Sequence, residues 1–121
     1  MMRLPDQTEL EQFFRTSYIS TNGKDSPFYY DHVKFVTSIG DDRVVIRLHP
    51  SDGFLSIAWA QKSAIRLMLA FWHVQSLEIS VSAGSERLIG HIENKETDQL
   101  FKLTLFPEVS FDLATAEPQY D

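Results

Sequence analysis

Four histidines, His32, His49, His73 and His91, are the side chains here best suited to ligating a metal or moving a proton. Helical zinc sites need imidazoles four residues apart, as in HExxH, or paired with clustered carboxylates; neither pattern occurs, and each histidine falls in a different element. The first hairpin's register is expected to set His49 opposite Lys34, where a neighbouring cation disfavours imidazolium. All four therefore read as structural or solvent-facing. Serines are numerous, but none stands in a GxSxG elbow, and Gly84-Ser85-Glu86 reads as a turn. Any acidic chain offers pairs of carboxylates, so no pair here singles itself out for hydrolysis. Five glycines form neither a phosphate-cradling loop nor a dinucleotide fingerprint, and the absence of cysteine removes thiolate nucleophiles, thiolate metal sites and disulfides. The residues thus point to no cofactor, no metal and no catalytic group, and favour a non-enzymatic binding protein.

Charge bears on what would be bound. A formal net charge of −6, with eleven basic residues scattered along the chain, argues against a nucleic-acid partner. Acids gather at expected turns and edges, at Asp25, Asp31, Asp41, Asp42, Asp52, Glu93, Glu96 and Asp98. They make either an ordinary solubilising surface or an anionic face that speeds capture of a basic protein.

Aromatic residues supply the other signal. Phe28-Tyr29-Tyr30 beside Asp31, then Trp59, then Trp72-His73 fall outside the regular core pattern. Tyr and Trp are enriched at binding hot spots. Adjacent strand residues face opposite ways, so one of the two tyrosines is expected to reach solvent or a partner. Trp72 is expected beneath a helix and Trp59 at one end of the sheet.

The elements that must position these residues follow from periodicity. Leu10, Phe13, Phe14 and Tyr18 recur at helical spacing, and Asp6 with Glu9 forms a capping signature, so a helix is predicted over about residues 7–20. Val33, Phe35, Thr37 and Ile39 alternate with polar residues and are answered by Val44, Ile46 and Leu48 across a turn at Gly40-Asp41-Asp42. Residues 65–72 are apolar on both faces, which predicts a central strand covered by the helix.

Leu77, Ile79 and Val81 then pair with Leu88, Gly90 and Ile92, Gly90 leaving room for a large neighbour. Lys95-Glu96-Thr97-Asp98 makes a four-residue turn that places Ile92 opposite Phe101 and Gly90 opposite Leu103. Phe106-Pro107-Glu108 connects Phe101, Leu103 and Leu105 to Val109, Phe111 and Leu113. The prediction is an α+β fold: an N-terminal helix on a mainly antiparallel meander of six to seven strands over residues 32–114, with a frayed tail at 115–121. Length and a 43% hydrophobic content suit one domain. No apolar run approaches a membrane span and no secretory leader precedes the helix, so the cytoplasm is the expected location.

With the helix, the Tyr30-Asp31-His32 lead into the first hairpin, the stretch Leu69-Ala70-Phe71-Trp72-His73-Val74-Gln75-Ser76-Leu77-Glu78-Ile79 and the final strand Val109-Ser110-Phe111-Asp112-Leu113-Ala114, the chain resembles small bacterial immunity proteins of polymorphic-toxin and contact-dependent inhibition systems. The likeness spans residues 30–114 and includes the spacing of Phe71, Val74 and Leu77. It implies a protein that binds a cognate toxin, commonly over the toxin's active site; acids would suit a basic nuclease cleft. The expected contact residues are Tyr29, Tyr30, Asp31, Asp41, Asp42 and Trp59. The alternative is a small-molecule or regulatory domain with an apolar pocket lined by Phe54, Trp59, Met68 and Trp72.

Overall fold

A computed structural model of the chain describes residues 2–21, 27–93 and 98–116. The helix α1 (Gln7–Phe14) begins where expected, with the Asp6 carboxylate accepting from the Glu9 N–H at 2.9 Å. Replacing Asp6 with Ala should cost about 1 kcal/mol, the usual worth of an N-cap, read as a lowered midpoint in chemical denaturation.

The helix stops six residues short of the predicted end. Arg15 adopts the left-handed conformation (φ 56°), its N–H turning back to the carbonyls of Gln12 and Glu11, and its guanidinium lies 3.6 Å from the Phe106 ring centre. Leu10, Phe13 and Phe14 already fill the buried face, so Tyr18, which continued the helical spacing, packs edge-on against Phe28 from outside the helix.

Two antiparallel meanders follow, giving nine strands among the described residues in place of six to seven in one sheet. The first joins β1 (Ile19–Ser20), β2 (Val33–Ile39), β3 (Asp42–His49), β4 (Phe54–Gln61) and β5 (Ala64–Phe71) in sequence order. The second joins β6 (Val74–Ser82), β7 (Ser85–Ile92), β8 (Asp98–Thr104) and β9 (Ser110–Ala116). The α+β class and the antiparallel pairing are as predicted. The break between sheets falls at Trp72-His73, where His73 has φ 64° and the Val74 N–H bonds the Gly53 carbonyl at 2.9 Å.

That break corrects the reading of residues 65–72. Among the described residues strand β5 pairs only with β4 and is an edge, leaving Ile65 and Met68 each 69% exposed and Trp72 60% exposed. The helix covers β2 instead, with Phe14 stacked on Phe35 at 4.5 Å, so Trp72 does not lie beneath it. Strand β4, which received no assignment from sequence, carries the alternation Leu55, Ile57, Trp59 toward the core.

In the first hairpin Val33, Phe35 and Thr37 face Leu48, Ile46 and Val44. Lys34 therefore pairs with Arg47, and not with His49 as expected. In the second sheet Gly90 faces Phe101 and Ile92 faces Gln99, two residues away from the predicted register. The position without a Cβ lies against the Phe101 ring, which leaves no room for one. Lys95, Glu96 and Thr97 of the predicted turn lie outside the described residues, and Asp98 already belongs to β8. The last hairpin pairs Phe101 with Leu113 and Leu103 with Phe111, as predicted across Phe106-Pro107-Glu108. Thr115 and Ala116 of the expected tail pair within β9, and the rest of the tail is outside the described residues.

The inner faces of the two sheets share one core. Phe71 of the first sheet stacks on Phe101 of the second at 5.5 Å, and Phe101 on Phe111 at 5.9 Å. Among the described residues no helix is long and apolar enough to cross a membrane.

Candidate functional site

With Val44, Ile46 and Leu48 committed to the core, alternation turns Arg43, Val45, Arg47 and His49 outward from β3. Pairing then lays three rows across the outer face of the five-stranded sheet. The central row is Val36, Val45, Ala58 and Met68; the row on one side is Lys34, Arg47, Ser56 and Ala70, and the row on the other is Ser38, Arg43, Ala60 and Ile65. Cations thus flank an apolar stripe, and these rows carry no acid. Two open grooves lie on this face, one of about 400 Å³ bounded by Arg47 and Met68 and one of about 250 Å³ bounded by Arg43, Trp59 and Ile65. A chain with net charge −6 therefore presents a basic, apolar-centred sheet face.

The sequence-predicted contact residues divide between the two ends of β2. At one end, Phe28–Tyr30 form a short 3-10 helix and not a strand, so the two tyrosines do not simply alternate. Tyr30 is 60% exposed, whereas the Tyr29 hydroxyl donates to the Met2 carbonyl at 3.2 Å. Asp31 is 1% exposed, with one carboxylate oxygen accepting from the His32 N–H at 2.8 Å. Burial keeps it from presenting to a partner. At the other end the Trp59 indole N–H donates to the Asp42 carboxylate at 2.9 Å, beside exposed Asp41. The two groups are roughly 25 Å apart along the sheet at the rise of an extended strand.

A further row closes the first end of the face. His32 stacks on His49 with centroids 3.7 Å apart and planes within 12°, His49 meets Phe54 at 4.8 Å, and Phe54 meets Trp72 at 4.5 Å. Asp52 reaches His32, Oδ2 to Nε2, at 3.8 Å. Burial, the facing His32 and then Arg47 push the His49 imidazole below its ordinary value of 6.5, with Asp52 opposing them. An unfolded chain then binds more protons than the folded one just below pH 6.5, so stability is full above that value and falls on acidification through it. His49 ring resonances should titrate below those of a free histidine, and thermal melts should drop as pH falls from neutral. A His49 midpoint at or above the free value would remove this contribution.

The fold matches a solved one. A chain of a contact-dependent growth inhibition toxin–immunity protein complex from Klebsiella pneumoniae 342 superimposes with a TM-score of 0.80, covering 95% of this chain and 97% of that chain at 13% identity. That complex comes from the class of systems named by the sequence resemblance. No family model and no curated protein matches the chain. At this identity the likeness is one of fold.

The four residues foreseen as lining an apolar pocket do not border either of these grooves together. Trp59 and Met68 border the same groove, but Phe54 and Trp72 stack at the far end of the face. The grooves lie on an open sheet surface and not between sheet and helix, where a small molecule would be largely enclosed. The basic face was missed because β4, which carries its Ser56, Ala58 and Ala60, went unassigned. The histidine pair was missed for want of two residues of register: with Val33 opposite Leu48, His32 and His49 necessarily face each other.

Proposed function

We propose that this chain is a single-domain, cytoplasmic binding protein that neutralises a cognate protein toxin by occluding it, with no chemistry of its own. The observation that carries the reading is the fold shared over 95% of the chain with a component of a toxin–immunity complex. It is supported by an outer sheet face whose shape and composition suit a protein partner. An interface of ordinary size needs about 800 Å² from each side. Exposed Met68, Ile65 and Trp72 offer apolar contact area, and Lys34, Arg43 and Arg47 a polar surround. Asp41, Asp42 and Trp59 would lie at one rim, and Tyr29 and Tyr30 at the other. A basic nuclease cleft would meet like charge on this face, so the complementary toxin surface is acidic around an apolar centre.

The test is to sequence the adjoining reading frames and to co-express this chain with a toxin domain found there. Growth arrest by that domain should be relieved, and the two chains should co-purify as a stable complex. Continued arrest in the presence of soluble, folded protein would overturn the reading.

A further inference from the structure

We propose that His32, His49 and Asp52 form a binding site for one transition-metal dication of the zinc class, a site independent of the toxin reading. Three separate elements supply the donors: the lead into β2, the last residue of β3 and the 3-10 turn Pro50–Asp52 that follows it. One ligand atom from each lies within 4.8 Å of the other two, with His32 and Asp52 already at 3.8 Å.

Ligands about 2.0–2.2 Å from a tetrahedral zinc stand roughly 3.3–3.5 Å from one another, so the donor atoms must close by about 1 Å and the rings must also turn. Rotation about side-chain torsions supplies that movement while the backbone stays in place. That backbone is well tied: the Asp31 carboxylate holds the His32 N–H, the Gly53 N–H bonds the Pro50 carbonyl at 3.3 Å, and the Gly53 carbonyl accepts from Val74.

The stacked rings impose a specific requirement. A metal in the plane of both imidazoles cannot lie between parallel planes, so the pair must open like a book when it binds. Unstacking of the pair is thus a signature of occupancy. Two imidazoles and one carboxylate select zinc, nickel, cobalt or copper over magnesium and calcium, which prefer all-oxygen shells. Three protein ligands leave a fourth position for water or for a side chain of a bound partner. The half-exposed His32 and Asp52 give an ion a path from solvent.

Titration of the full chain with zinc chloride, by calorimetry and imidazole NMR, tests the proposal, with magnesium chloride as the control salt. One-to-one binding should shift and unstack the His32 and His49 rings together and raise the melting temperature. His32→Ala or His49→Ala should each weaken binding at least about tenfold, and Asp52→Asn should weaken it less. His73→Ala should leave it unchanged. Melting of each variant without metal, close to that of the parent, separates loss of a ligand from loss of fold. Saturation that survives both histidine variants, or no zinc binding below millimolar concentration, would overturn the site.

Discussion

Gly90→Ala should destabilise the protein by about 3 kcal/mol or more, at the upper end of what overpacking costs. A Cβ built there would stand 1.9 Å from Phe101 Cε2 and 2.3 Å from its Cζ. A flexible side-chain tip could retreat, but this ring cannot. Phe101 is fully buried, with Phe71 stacked at 5.5 Å and Phe111 at 5.9 Å. Moving it would disturb both sheets, because Phe71 belongs to the first and Phe111 to the second. Chemical denaturation should therefore show a large fall in midpoint at unchanged slope, the mark of lost stability without lost cooperativity.

A second substitution keeps the result interpretable. Phe101→Leu alone should be destabilising because it leaves a void. In the Gly90→Ala background it should cost less, or restore stability, giving a favourable coupling of about 1 kcal/mol or more. If Gly90→Ala costs under about 0.5 kcal/mol, an effect ordinary for surface changes, the ring has room that this packing denies it.

Gly90 also shows how far the sequence could be read. That a glycine between Leu88 and Ile92 makes space for a large neighbour followed from alternation alone. Which neighbour it faced depended on loop length across residues 93–98, and periodicity leaves shifts of two residues undetermined because they preserve every inward and outward position. The same ambiguity separated His49 from His32.

The helix end was illegible for a different reason: Tyr18 keeps the helical spacing, while the residue that ends the helix, Arg15, carries no ordinary stop signal and is held by its contact with Phe106. Residues 65–72, apolar on both faces, were read as central because burial usually explains such a pattern. Here Ile65, Met68 and Trp72 stay in solvent, so an apparent failure of the rule marks a surface and not a core. Of the candidate contact residues, the pairing of Trp59 with Asp42 and the burial of Asp31 needed tertiary structure. Neither follows from spacing.

Arg43→Glu combined with Arg47→Glu should weaken binding to the toxin domain proposed as partner at least about tenfold, mostly by slowing association. Both side chains are exposed on neighbouring outward positions of β3, astride Val45 in the apolar stripe, so neither folding nor the core depends on them. The sign of the effect is the informative part. If the partner is acidic, reversing these charges turns steering into repulsion, while Asp41→Lys, at the nearby β2–β3 turn, should speed association. If the partner presents a basic cleft, both changes should act the other way.

Asp41 is the better probe than Asp42, whose carboxylate accepts the Trp59 indole hydrogen bond and whose loss would disturb the strand end. Asp112→Lys, on the outward side of β9 in the other sheet, serves as the remote control and should change affinity little. Rates measured at low and high salt complete the test: the parent's association should slow with added salt, and the arginine variant's should not. A toxin that binds the parent but ignores all three changes would move the contact surface off this sheet while leaving the toxin-neutralising role intact. A parent that binds no toxin at all would remove that role and leave the face without its partner.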